Sequence, residues 1–185
     1  MSHIGTSQFS FAAPWSVYLK VLSLATTVLL LAGAVLVPPH IPAAALGGMV
    51  KLLIAAGCLL PLLGCALFVI RGYRLEAGTL LIGRLFWFTA FPLESLSRAW
   101  SSPEAMDGSI RLFGNGGLYS FTGLFRNKLL GRYRAFVTDP SRSVVLEFSR
   151  RTIVISPGSP SDFLRQLQSI HPQTEFPSTH EGTGD

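Results

Sequence analysis

Nineteen consecutive residues without a charge, Leu52 to Ile70, constrain this chain more than any other feature. As a helix they extend about 28 Å, close to the hydrocarbon thickness of a bilayer. Arg71-Gly72-Tyr73-Arg74 follows at once, and arginine and tyrosine settle where hydrocarbon gives way to water. Residues 52–70 therefore read as a membrane span, with anchor before the junction and cargo after it.

A second apolar stretch lies upstream. Val21 to Val37 reaches span length, 17–37, when Val17 to Leu19 join it and Lys20 snorkels, with Trp15 and Tyr18 as interfacial aromatics. A cleaved signal peptide is the competing reading, because Pro42-Ala43-Ala44-Ala45 offers small residues after an apolar run; the single late Lys and the length of the run favour a retained span. Pro38-Pro39-His40-Ile41-Pro42 stops the helix, and so short a turn makes residues 15–70 an antiparallel hairpin. Residues 1–14 are polar and unpatterned, as in a flexible tail. In the second span Gly57, Pro61 and Gly64 form a stripe of small side chains that either admits a neighbouring helix or merely faces lipid. Cys58 and Cys65, the only cysteines, lie on one helix face about 10 Å apart in rise, too far for a disulfide. A soluble part without cysteine fits a reducing compartment, and equally an exported domain that needs no staple.

The charge is as segregated as the hydrophobicity. Half the residues are hydrophobic, yet the first seventy contain no acid and only Lys20 and Lys51 as bases. Residues 71–170 hold thirteen basic and seven acidic residues, a net charge of +6. Arg71, Arg74 and Arg84 after the second span outweigh Lys51 at its far end, which orients both termini toward the cytoplasm.

After Arg71 the period shifts from helix to strand. Tyr73 and Leu75 alternate with Arg74 and Glu76, Ala77-Gly78 turns, and Leu80 and Ile82 continue a hairpin. Leu85 to Phe91 is apolar on both faces, either sandwiched in the core or pressed against lipid, and Leu93 to Trp100 returns as a strand. Ile110 to Phe113 is a short strand before a glycine-rich loop reaching Gly123. Arg132–Thr138, Val144–Phe148 and Thr152–Ile155 follow, with Asp139-Pro140-Ser141-Arg142 as a turn. About seven short strands predict an antiparallel barrel or sandwich. Ser159 as N-cap, Pro160 in the first turn and the stripe Phe163, Leu164, Leu167, Ile170 predict a closing amphipathic helix. Residues 171–185 have the composition of a disordered tail.

The strands and closing helix carry a recognisable wording in Tyr73-Arg74-Leu75-Glu76 with Leu80-Leu81-Ile82, Ile110 to Gly117, Gly123 to Asn127, Leu130 to Tyr133, Thr138-Asp139, Thr152 to Pro157 and Asp162-Phe163. These residues resemble the bacterial pleckstrin-homology (PH) domain proteins carried on an N-terminal transmembrane hairpin, and strands closed by one C-terminal helix follow the PH order. The resemblance covers nearly all of 71–170 and implies a mainly β, PH-like domain on two membrane helices in a bacterial cytoplasmic (inner) membrane. The matching residues define a fold; they transfer no catalytic motif and no cofactor.

The residues themselves point away from catalysis. His3, His40, His171 and His180 all fall in tails or the interhelical loop. Glu94, Glu104, Asp107 and Asp139 read as solvated turn residues, and Tyr119 stands where a dinucleotide fingerprint needs its third glycine. The sharper signal is basic: Arg126, Lys128, Arg132 and Arg134, supported by Arg111 and Arg150-Arg151, on a domain tethered beside an anionic leaflet. Either these form an anion-binding surface, or Glu147 and other acids pair with them across strands. Leu118, Tyr119, Phe121 and Phe125 are candidates for an apolar loop contact. The expected partners are membrane lipids and a membrane or cytoplasmic protein; the anchor argues against nucleic acid. The rival reading is a structural or accessory subunit recognised through its membrane helices.

Overall fold

The computed structural model describes residues 8–36, 39, 47–76 and 78–177. Most of the proline-rich turn, the candidate cleavage residues 42–45 and residues 178–185 lie outside the described residues.

After a short N-terminal strand come two apolar helices, α1 (Val17–Leu36) and α2 (Gly47–Leu67). Ser16 caps α1, its Oγ accepting the Leu19 amide at 3.1 Å. Only 11% and 6% of their most apolar windows are buried, so these are not core helices of a globular domain. The helices touch through small residues, because a Cβ on Gly33 would lie 3.4 Å from Cys58 Sγ. Pro61 sits inside α2.

Among the described residues, ten strands and a closing helix, α3 (Pro160–Ile170), make up the rest of the fold. The first sheet is antiparallel in the order β1 (Phe9–Ala12), β2 (Gly72–Glu76), β3 (Thr79–Gly83), β4 (Phe88–Pro92). The second sheet runs β5 (Leu96–Ser101), β9 (Val144–Phe148), β10 (Arg151–Ile155), β8 (Gly131–Val137), β7 (Phe121–Asn127), β6 (Ile110–Gly116). The sheets stay open, a sandwich rather than a barrel, and enclose the main core. Tyr73, Leu75, Leu80 and Ile82 from one sheet meet Phe136, Leu146, Ile153 and Ile155 from the other, and α3 closes the end with Phe163 and Leu167. A smaller core of Phe125, Tyr133, Ala135, Val137 and Val154 lies on the opposite face of the second sheet, where Ala105 and Met106 pack against it.

Four features depart from the sequence reading. Residues 1–14 are not all tail: β1 pairs with β2, Phe9 opposite Leu75 and Phe11 opposite Tyr73, and Phe11 meets Phe163 edge-on at 5.2 Å. Nor are residues 171–177 disordered, since Glu175 exchanges backbone hydrogen bonds with Ser97 and Ala99 at 2.9 Å and Thr174 is buried. The second sheet is not wholly antiparallel. After β8 the chain skips one strand position to β9, and β10 returns into the gap, parallel to β8. Finally, the glycine-rich stretch is mostly hairpin. Gly114 and Gly123 face each other across β6 and β7 with φ of 106° and 140°, and a Cβ on either would strike the opposite strand's carbonyl at 2.3 or 2.1 Å.

Candidate functional site

The β7–β8 pair places three of the four basic candidates together. Arg126 lies directly opposite Arg132, and Leu124 opposite Arg134, so the three arginines share one face with the Thr122–Phe136 pair above them. Lys128 follows in the exposed turn, where the Asn127 carboxamide accepts the Leu130 amide at 2.8 Å. All four are exposed. Directly opposed like charges are ordinarily unfavourable across strands.

No acid neutralises this face among the described residues. The ion pairs there are Arg98 with Glu147 and Glu175, Arg142 with Asp139, and Arg165 with Asp162. Strand parity explains why Glu147 does not serve: Leu146 and Phe148 point into the main core alongside Ile153, whereas Glu147 points to the other side of the sheet. Instead, Arg151, near the same end of the face, stacks on Phe91 and Phe148 at 5.0 and 5.6 Å.

Of the loop candidates, the structure engages three within the chain. Phe125 is core, 4% exposed and stacked on Tyr133 at 6.0 Å, and Phe121 packs against the same cluster. For Phe125 the expectation of a surface contact is corrected, because the 102–109 segment covers that side of the sheet, whereas Phe121 stays half-buried. Tyr119, at φ 66°, donates its amide to Ser23 Oγ at 2.9 Å. Its hydroxyl lies 2.8 Å from Thr27 Oγ1, whose own proton goes to the Ser23 carbonyl, so Tyr119 is the donor. Leu118 stays partly exposed. The apolar neighbours the sequence reading missed are on β6: Ile110 opposite Arg126 and Phe113 opposite Leu124, 68% and 79% exposed.

The same hairpin tip fixes the face relative to the two apolar helices. Ser120 Oγ bonds Thr122 Oγ1 at 2.9 Å and reaches the Phe68 carbonyl at 3.4 Å, just past the end of α2. Arg84, 7% exposed, donates to that carbonyl at 2.8 Å and lies between the Phe68 and Phe136 rings, 5.3 Å from each. Burial depresses its pKa, and the Tyr73 hydroxyl partly opposes the change. Counting along β8 from Phe136, Arg134 is at most about 7 Å and Arg132 about 13 Å further from the helix end. At physiological salt the first is about one Debye length and the second about one and a half.

In α2, Gly57 and Pro61 are exposed and Gly64 half-buried, and a Cβ on either glycine would meet nothing within 4 Å. The small-residue stripe therefore turns away from α1. No group of three or more His, Cys, Asp or Glu side chains gathers among the described residues.

Residues 71–170 match the family model described as Bacterial PH domain. No curated protein and no solved structure matches the chain.

Proposed function

Because this chain belongs to the bacterial PH domain family, we propose that it is a non-enzymatic binding module held on the cytoplasmic face of a bacterial inner membrane by a retained two-span hairpin. The β7–β8 face takes an anionic surface, a protein or a lipid headgroup. One observation carries this: Arg126 and Arg132 stand directly opposite each other, beside Arg134, with no acid partner among the described residues. Like charges opposed across a ladder cost stability, and an arriving anion offsets that cost. Exposed Ile110 and Phe113 on the adjoining strand add apolar area to the same face.

The pairing of β1 with β2 supports the topology. Strand β1 precedes both helices and β2 follows them, so an even number of crossings separates them. Cleavage near residue 45 would remove one of the four strands of the first sheet, which favours a retained hairpin. The Tyr119 contacts with Ser23 and Thr27 hold the domain on that hairpin.

The test uses the full chain in phosphatidylcholine nanodiscs, titrated separately with phosphatidylglycerol vesicles and with poly-glutamate. Replacing Arg126, Lys128, Arg132 and Arg134 by glutamate should weaken at least one interaction by on the order of tenfold or more, since each charge contributes on the order of 1 kcal/mol. Unchanged binding to both probes would remove this face from consideration.

A second reading rests on the open stripe of α2. With nothing packed on Gly57 or Gly64, a helix of another membrane protein has room to approach, which suits an accessory subunit. Gly57→Leu or Gly64→Leu would then release a co-purifying membrane partner while leaving anion binding intact.

A further inference from the structure

Beside the end of α2, on a different part of the domain from the β7–β8 face, lies an open groove of about 560 Å³. Its walls are β1, the start of β2 and the β3–β4 turn, and it presents Arg71, Arg74 and Arg84 with no aspartate or glutamate in its lining. Arg71 and Arg74 are exposed and have no acid partner among the described residues. Arg84 brings a third, buried cation, solvated by the Phe68 carbonyl, the Thr89 hydroxyl and two rings rather than a carboxylate.

The outer wall is apolar. Leu85, Phe86, Trp87 and Phe88 are 38%, 76%, 38% and 51% exposed, four successive apolar side chains left uncovered. They are pinned at the level where α2 ends: Trp87 meets Phe68 edge-on at 5.5 Å, and the Arg84 amide donates to the Trp87 carbonyl at 2.9 Å. A cationic pocket continuous with an apolar lip at a helix end fits a ligand with an anionic head and hydrocarbon tails. A soluble phosphate ester would leave the lip bare.

We propose that this groove seats one anionic glycerophospholipid from the leaflet in which α2 ends, its phosphate on Arg71 and Arg74 and its acyl chains along Phe86 and Phe88. The bound lipid supplies the counter-charge the groove lacks and covers the turn, so the domain sits against the leaflet at a third point beside its two helices.

The test reads Trp87 directly. With Trp15→Phe and Trp100→Phe, Trp87 is the sole indole of the full chain. That chain is reconstituted in phosphatidylcholine bilayers containing brominated phosphatidylglycerol or brominated phosphatidylcholine. Half-maximal quenching is expected at a mole fraction of the brominated phosphatidylglycerol on the order of tenfold lower. Arg71→Gln with Arg74→Gln should erase that preference, the double lysine variant should retain it, and Arg126→Glu with Arg132→Glu should leave it unchanged, which separates this site from the β7–β8 face. Equal quenching by the two lipids, a preference that survives the glutamine pair, or loss of preference on adding free glycerophosphate would each overturn the assignment.

Discussion

Removing one hydroxyl, by Tyr73→Phe, should expose how the two sheets are joined. Tyr73 is fully buried on β2, yet its hydroxyl donates to the Phe136 carbonyl of β8 at 2.7 Å and accepts the Ser156 amide, just past β10, at 3.1 Å. It is a polar link across an otherwise apolar sandwich. At pH 8 the variant leaves a buried carbonyl and a buried amide unpaired, which costs about 2 kcal/mol. The pH dependence is more diagnostic. An unfolded tyrosine loses its proton near pH 10, whereas burial, only partly opposed by the Ser156 hydrogen bonds, pushes Tyr73 up to about 12. Between those values the unfolded chain binds fewer protons than the folded one, so this stabilising contribution is whole below pH 10 and lost as the pH rises through about 12. At 1.36 kcal/mol per pH unit, the wild type forfeits about 2.7 kcal/mol that the phenylalanine variant does not. Denaturant unfolding of the full chain in detergent, followed by tryptophan fluorescence from pH 8 to 12, should show the two stabilities converging above pH 10 and meeting before 12. A gap that stays constant would refute the reasoning.

Three further outcomes follow from the packing. Arg132→Glu should raise thermal stability by about 0.5 kcal/mol, because it replaces an opposed like pair with an opposite one, while it weakens vesicle binding. Gly123→Ala should cost more than about 4 kcal/mol, because the new methyl would sit 2.1 Å from the Phe113 carbonyl; Gly131→Ala, at φ 65° with nothing within 4 Å, should cost only about 1 kcal/mol in the same melt. Ser23→Ala should cost about 1–3 kcal/mol at the hairpin tip by stranding the Tyr119 amide, visible as faster protease nicking within residues 117–120 while the main core melts unchanged.

What was legible in the sequence was whatever a local pattern encodes. Apolar runs interrupted only by Lys20 and Lys51 marked both helices, although α2 starts five residues before and ends three residues before the expected 52–70; alternation marked the β2–β3 hairpin, and the Phe163, Leu164, Leu167 and Ile170 stripe marked α3 at its observed bounds. What escaped depends on pairing between distant residues. Strand β1 spans only four residues, and the alternation of Phe9 and Phe11 around Ser10 gains meaning only beside β2, more than sixty positions away. Gly114 and Gly123 looked like loop because glycine weakens a strand pattern, yet they are what lets β6 and β7 approach so closely. The basic residues were visible one by one, but their mutual opposition and the wrong parity of Glu147 appear only with the register. Ser23 and Thr27, one helical turn apart in an apolar stretch, were the overlooked signal that this face of α1 meets protein.

The proposed topology requires the segment before α1 and the domain after α2 to share one side of the membrane. In a Cys58→Ala, Cys65→Ala background, Ser10→Cys and Lys128→Cys should each react with a membrane-impermeant thiol reagent added to sealed vesicles whose cytoplasmic face points outward. Reaction at position 128 with protection at position 10, or recovery of a mature chain lacking position 10, would contradict it.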